Sequence, residues 1–174
     1  MAKKQHYIDN KKFFQAMVEY KESIEEAEET GEPKPQIPNF IGECFMQIAE
    51  HLSYKPNFIN YTFRDDMISD GIENCIQYIH NFDPKKSQNP FSYFTQIIYY
   101  AFLRRIQKEK KQLYVKYKSL EKAITEDELS TLQEYENSEN PASSPTYDMH
   151  QNLYDFIEQF EEKNFKKKEP KTAE

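Results

Sequence analysis

The sequence predicts an all-α protein: a compact bundle of about four helices followed by an acidic, largely disordered C-terminal tail. Three observations lead there. Apolar residues recur at three-and-four spacing in several separate windows, as they do on helices that bury one face. Glycine is scarce, at 3 in 174 residues, which argues against sandwiches, barrels and phosphate loops, all of which need turn glycines. Between Glu121 and Glu162 twelve acids face the single Lys122, a composition that cannot bury a core.

Residues 8 to 30 read as the first helix, with Ile8, Phe13, Phe14, Met17, Val18 and Ile24 at helical spacing. Glu25, Glu26, Glu28 and Glu29 follow, and Gly31 with Pro33, Pro35 and Pro38 stops the helix and forms a linker. A second helix starts near Asn39, a candidate N-cap. Phe40, Ile41, Cys44, Phe45, Ile48, Ala49 and Leu52 form its broad apolar stripe, and Pro56 ends it. Phe58, Ile59 and Tyr61 pack the loop that follows. The third helix spans about Arg64 to His80, burying Ile68, Ile72, Cys75, Ile76 and Ile79. Phe82-Asp83-Pro84 closes it, because proline disfavours helical geometry at the preceding residue. Pro90 suits the first turn of a fourth helix that runs to about Tyr117.

The chain thus divides into an N-terminal helix and linker (1–36), a main domain (37–118) and a tail (119–174). In the tail, Pro141 and Pro145 break a Ser- and Asn-rich stretch before the apolar knot Leu153 to Phe160 and a basic end at Lys163 and Lys166 to Lys168. The first residues lead to no signal core, and no apolar run approaches membrane-spanning length, so a cytoplasmic protein with no membrane role is expected.

Composition excludes several chemistries. Cys44 and Cys75 stand far apart in apolar patterns, with no Cys-x-x-Cys, so they read as small buried groups and not as zinc or redox ligands. His6, His51, His80 and His150 fit no metal-ligand spacing. Asp65 and Asp66 point about 100° apart on a helix and do not converge as a catalytic dyad. No metal, no cofactor and no enzymatic activity are expected.

The basic and aromatic segment is the feature that suggests a ligand. Arg104, Arg105, Lys108, Lys110, Lys111, Lys116 and Lys118 are opposed only by Glu109, and Phe91, Tyr93, Phe94, Tyr99, Tyr100 and Phe102 precede them. Cations track phosphates, and rings stack on unpaired bases for about 1–3 kcal/mol each. The competing reading is plain core and a wet helix end; Phe91, Ile98, Phe102 and also Tyr99 fit the core role. The overall charge of −7 is unevenly placed, so it does not decide the matter.

The order of residues adds a resemblance. Asp66-Met-Ile-Ser-Asp-Gly71, the Phe82-Asp83 corner and Phe91-Ser-Tyr-Phe94 resemble, in order and spacing, the second conserved region of bacterial sigma factors. Ile48-Ala-Glu-x-Leu52, Asp70-Gly-Ile-Glu73, Asn89-Pro90, Thr95-Gln96 and Arg105-Ile-x-Lys-Glu-x-Lys111 are similar to the late-transcription sigma factors of T-even-type bacteriophages. The likeness covers about residues 7 to 118.

This resemblance implies that the third helix binds the clamp helices of the large catalytic subunit of host RNA polymerase core, through Asp66, Ser69, Asp70, Ile72, Glu73 and Ile76. It implies that the fourth helix meets promoter DNA, with Phe94 stacking on a flipped adenine. Thr95, Gln96, Tyr99, Tyr100, Arg104, Arg105, Lys108 and Lys111 are the further candidates for base or phosphate contact. The hydrophobic and acidic tail motif implies docking on the phage DNA sliding clamp through Leu153, Tyr154, Phe156 and Ile157, or, alternatively, a helix packing back on the domain. A phage late co-activator is a further expected partner, in the cytoplasm of an infected bacterial host. Three departures matter. Ile97 and Ile98 replace paired tryptophans, Ala101 replaces a base-reading glutamine, and nothing after Tyr117 resembles a helix-turn-helix domain. The expected function is a sigma-like initiation factor for late promoters with a single A·T-rich −10-type element. The competing function is an anti-sigma-like adaptor that occupies polymerase without reading DNA. Gly71, costing about 1 kcal/mol against alanine inside a helix, implies a close backbone approach there.

Overall fold

Asp9, one residue later than the apolar pattern suggests, caps the first helix: its carboxylate accepts from the backbone N–H groups of Lys11 and Lys12 at 3.0 and 3.3 Å. The structure, a computed structural model, describes residues 7–123 and 145–165. Among these there are five α-helices, one 3-10 turn and no strand, so the fold is all-α. The stretch 124–144, read from sequence as disordered tail, the first six residues and Lys166 to Lys168 lie outside the described residues.

The chain forms two compact units, divided between Gln107 and Lys108. The first holds α1 (Asn10–Thr30), α2 (Asn39–Ser53), α3 (Arg64–Tyr78), the 3-10 turn (Ile79–Asn81) and the first half of α4 (Pro90–Ala123). Helix α1 is thus part of this unit's core and not a separate N-terminal segment. It buries Phe13, Met17, Tyr20, Ile24 and Ala27, and it ends where Gly31, at φ 73°, takes the left-handed conformation that glycine adopts without strain. The N–H of Glu32 bonds the carbonyl of Ala27 across that turn at 3.0 Å, satisfying an orphan acceptor of the helix end.

Helix α2 has no side-chain cap. Pro38 holds the cap position and its carbonyl accepts from Ile41 and Gly42, which leaves Asn39 as the first helical residue and not the expected cap. Phe40, placed in the buried stripe by its spacing, is 40% exposed. The turns between Tyr54 and Phe63 carry Phe58 into the core, where its ring meets those of Tyr99 and Phe102 edge-on.

Helix α3 starts with Asp65 and Asp66 in its first turn, where carboxylates suit the positive end of the helix dipole. Its buried residues are Met67, Gly71 and Cys75, with Ile79 one turn on. That exact four-residue step turns Ile76 outward, 48% exposed, correcting the expectation that it joins the core. The α-helix stops at Tyr78 and tightens into the 3-10 turn, so His80 lies beyond it. Lys21 of α1 donates to the His80 carbonyl at 2.5 Å. Phe82 then runs extended with its ring buried, and the Asp83 carboxylate accepts from the Lys85 N–H, a bond that holds it below its usual pKa.

Asn89 caps α4, accepting from the Ser92 N–H at 3.1 Å, while Asn10 of α1 accepts from the Phe91 N–H at 3.2 Å. The core beneath is a phenylalanine cluster. Phe13, Phe45, Phe58, Phe82, Phe94 and Phe102 are each almost wholly buried. Burying such a ring is worth about 1.5–3 kcal/mol, which makes this cluster the main source of the unit's cohesion.

The second unit holds the rest of α4, which continues to Ala123 beyond the expected end near Tyr117, and α5 (Pro145–Asn164). Part of the expected tail is therefore a regular helix. Its ring contacts are specific: Tyr114 stacks on Phe160 at 4.5 Å and Tyr117 meets Phe156 edge-on at 5.4 Å. Lys118 bridges Glu121 and Glu161 at 2.8 and 3.1 Å, and the Tyr114 hydroxyl donates to Glu161 at 2.9 Å. Those two hydrogen bonds hold the Glu161 carboxyl below its ordinary range.

Candidate nucleic-acid interface

The predicted base contacts split into two groups. Phe94 lies in the core with 0% of its surface exposed, its ring 4.6 Å from Phe45, 5.7 Å from Phe13 and 5.9 Å from Phe82. The expectation that it stacks on an extruded adenine is corrected. Two successive four-residue steps, each about one turn, place Phe94, Ile98 and Phe102 on the buried face of α4 with Ala101 beside them, so an aromatic at 94 is a core residue here.

The next positions point elsewhere. Thr95, Gln96, Tyr99 and Tyr100 line an open cleft with Phe91 and Ser92, closed on the α2 side by Leu52 and Lys55. Tyr99 and Tyr100 are 38% and 50% exposed, with ring centroids 5.8 Å apart and nearly perpendicular. The Thr95 hydroxyl donates to the Phe91 carbonyl at 2.6 Å. Two adjacent phenols, an amide and an ammonium group around one recess can stack on a base, bond its edge and neutralise a phosphate. Lys55 is the member that sequence reading missed; it lies forty residues upstream in a turn, and only folding brings it to α4.

At the C-terminal end of this half of α4 the two arginines are engaged by α3. Arg105 grips the Asp70 carboxylate in a two-pronged pair, Nε to Oδ2 at 2.7 Å and Nη2 to Oδ1 at 2.9 Å. Arg104 donates from Nη2 to Asn74 Oδ1 at 2.6 Å. Asp70 and Arg105, predicted to meet polymerase and DNA separately, instead meet each other. The cause is the tight approach of α3 to α4 at Gly71, where a Cβ would stand 3.0 Å from Ile98 Cγ2 and 3.2 Å from Phe102 Cε1.

Of the residues predicted to bind a protein partner through α3, Asp66, Ser69, Glu73 and Ile76 are exposed and Ile72 is half-buried. Ile72 and Ile76 line an apolar groove with Ile37, Pro38, Gly42 and Met46, and Met46 is 49% exposed. Glu43 stands at the groove's edge. The contribution from α2 and the linker carried no sequence signal, since Met46 lies off the α2 stripe.

In the second unit Lys108 and Lys111 are exposed. Leu153 and Ile157 of α5 are buried, at 3% and 4% exposure, whereas Tyr154 is 37% exposed and Phe156 lies against Tyr117. The four residues predicted to dock on a clamp are thus divided, and the apolar pair is covered within the protein.

No cluster of three or more metal-ligating side chains exists among the described residues, and no described helix is long and apolar enough to cross a membrane. Compared with known proteins, the chain matches no protein-family model and no curated protein.

Proposed function

We propose that this protein is a sigma-like transcription initiation factor that joins a bacterial RNA polymerase core and directs it to promoters with a single A·T-rich element. The observation that carries the reading is the cleft of Thr95, Gln96, Tyr99 and Tyr100 faced by Lys55. It offers stacking surface, edge-reading groups and a phosphate ligand in one recess, on the helix where the resemblance to sigma region 2 puts promoter contact. Tyr99 and Tyr100 take the stacking role that Phe94 cannot fill. The exposed acids and isoleucines of α3, beside the groove with Met46, suit a basic amphipathic coiled coil such as the polymerase clamp helices. With isoleucines at 97 and 98 and the second of them buried, the wedge against duplex DNA is small, so melting leans on polymerase and co-activator. Tail docking on a sliding clamp through Leu153 and Ile157 requires α5 to give up its own packing.

Permanganate footprinting of an A·T-rich late promoter with core polymerase and this protein tests recognition and opening together. Reactive thymines confined to one element are expected; protection and reactivity identical to core alone reject the reading.

The burial of Phe94 and the pairing of Arg105 favour a second reading, an adaptor that occupies polymerase without reading DNA. Runoff transcription separates the two, since an adaptor gives no specific start.

A further inference from the structure

We propose that Asn74 is a positioning residue that presents Arg104, and not Arg105, as the phosphate-binding cation of this part of α4; the inference rests on the nucleic-acid reading above. Asp70 and Asn74 sit one turn apart on α3 and each receives one of two consecutive arginines from α4. The chemistry of the two receivers differs. Asp70 is a carboxylate and takes Arg105 with two parallel bonds, the side chains being 30% and 16% exposed, so that this pair is internally neutral. Asn74 is a neutral amide. It accepts from Arg104 at 2.6 Å without cancelling its charge.

The amide is itself held. Asn74 Nδ2 donates to the Asp70 main-chain carbonyl at 2.7 Å, which leaves its oxygen turned to the guanidinium. Arg104 is exposed, so its remaining N–H groups and its full charge face solvent. A guanidinium ordered before it meets a phosphate loses less freedom on binding than one waving on a free stem. Of two adjacent cations, one is neutralised and the other is held out at full charge.

Two substitutions of Asn74 should therefore separate charge from ordering. Asn74→Asp places a carboxylate against Arg104 and removes one effective phosphate contact, whereas Asn74→Ala keeps the charge of Arg104 and removes only its ordering. The full-length protein, bacterial RNA polymerase core and a fluorescein-labelled premelted A·T-rich duplex give the readout, as anisotropy over a salt series. For Asn74→Asp the slope of log affinity against log salt is expected to shrink by about 0.7–0.9, as for Arg104→Gln; for Asn74→Ala the affinity is expected to fall with the slope kept. Gln77→Glu, an added charge on an exposed α3 position, should leave the slope unchanged. An unchanged slope in Asn74→Asp overturns the proposal. An equal loss in Gln77→Glu also overturns it, since bulk charge would then suffice. If Asn74→Asp does not fold, Asn74→Ala decides alone: an affinity equal to that of the wild type sinks the assignment. Absence of DNA binding by the wild-type complex removes the functional reading itself, a different failure.

Discussion

The Phe94 ring lies 4.6 Å from that of Phe45, wedged between helices α1, α2 and the Phe82 corner, and this contact makes it a structural residue. Phe94→Ala should therefore destabilise the first unit by about 3–5 kcal/mol, as ring deletions from packed cores do. Urea unfolding followed by far-UV circular dichroism measures it. A variant of wild-type stability that lost only DNA binding would restore the stacking role.

Tyr99→Ala and Tyr100→Ala, in contrast, act on exposed rings. Each should weaken binding of a premelted A·T-rich strand in the polymerase complex by about 1–3 kcal/mol while moving the unfolding midpoint little. Tyr100→Ala is the cleaner of the two, because Tyr99 also touches the buried Phe58. Titration of labelled single-stranded DNA into the complex reads the loss. Unchanged affinity in both would mean that the cleft holds no base.

Gly71→Ala sets two effects against each other. Alanine gains about 1 kcal/mol in helix propensity, but its Cβ would crowd Ile98 and Phe102 at 3.0 and 3.2 Å. Overpacking in a dense core costs about 1–3 kcal/mol, and both neighbours are buried and cannot swing away, so net destabilisation is expected. Chemical denaturation decides the sign. A stabilised variant would show that α3 and α4 can part without cost.

The thiols give a pH prediction. Burial first, then the charge of Glu43, pushes Cys44 up to about 11, and burial pushes Cys75 higher still. Both are raised in the folded state, so the stability they contribute is complete below their ordinary pKa of 9.0 and declines as pH rises toward 11. Neither thiol should react with a disulfide reagent in the native protein at pH 8, and both should react in urea. Fast native reaction would place either thiol at the surface.

In the second unit the contact of α5 with α4 should weaken in acid. Glu161 is held low by Lys118 and then by Tyr114, so its contribution is present above its ordinary 4.5 and is lost as pH falls through its lower folded value. Leu153→Asp should detach α5 at neutral pH by placing a charge among buried groups. Hydrogen exchange of residues 145–164 reports both. Protection that persists in Leu153→Asp at pH 7 would contradict the packing described here.

What the sequence by itself determined is the helical class and the approximate place of the breaks in the first unit, although α3 stops at Tyr78, ahead of the Phe82 corner. Those depend on local chemistry: Gly31 enters the left-handed region without strain, and the fixed ring geometry of Pro84 and Pro90 limits where a helix can continue or start. It also marked which segments are charged or aromatic, and it singled out Gly71 as a place of close approach, to which the structure adds Ile98 and Phe102 as the neighbours. Which side of α4 is wet was not local information. Phe94 and Tyr99 are both aromatic residues in the first three turns of one helix, and only the placement of α1, α2 and Phe82 buries the first and leaves the second at a cleft. Ile76 was assigned to the core because the sequence shows only that it is apolar, while the four-residue step of the α3–α4 contact turns it outward. The tertiary structure alone brought Lys55 to Tyr100 and Asp70 to Arg105. Side-chain charge is written in the chain, but whether a charge faces solvent or an opposite charge depends on residues thirty-five positions away.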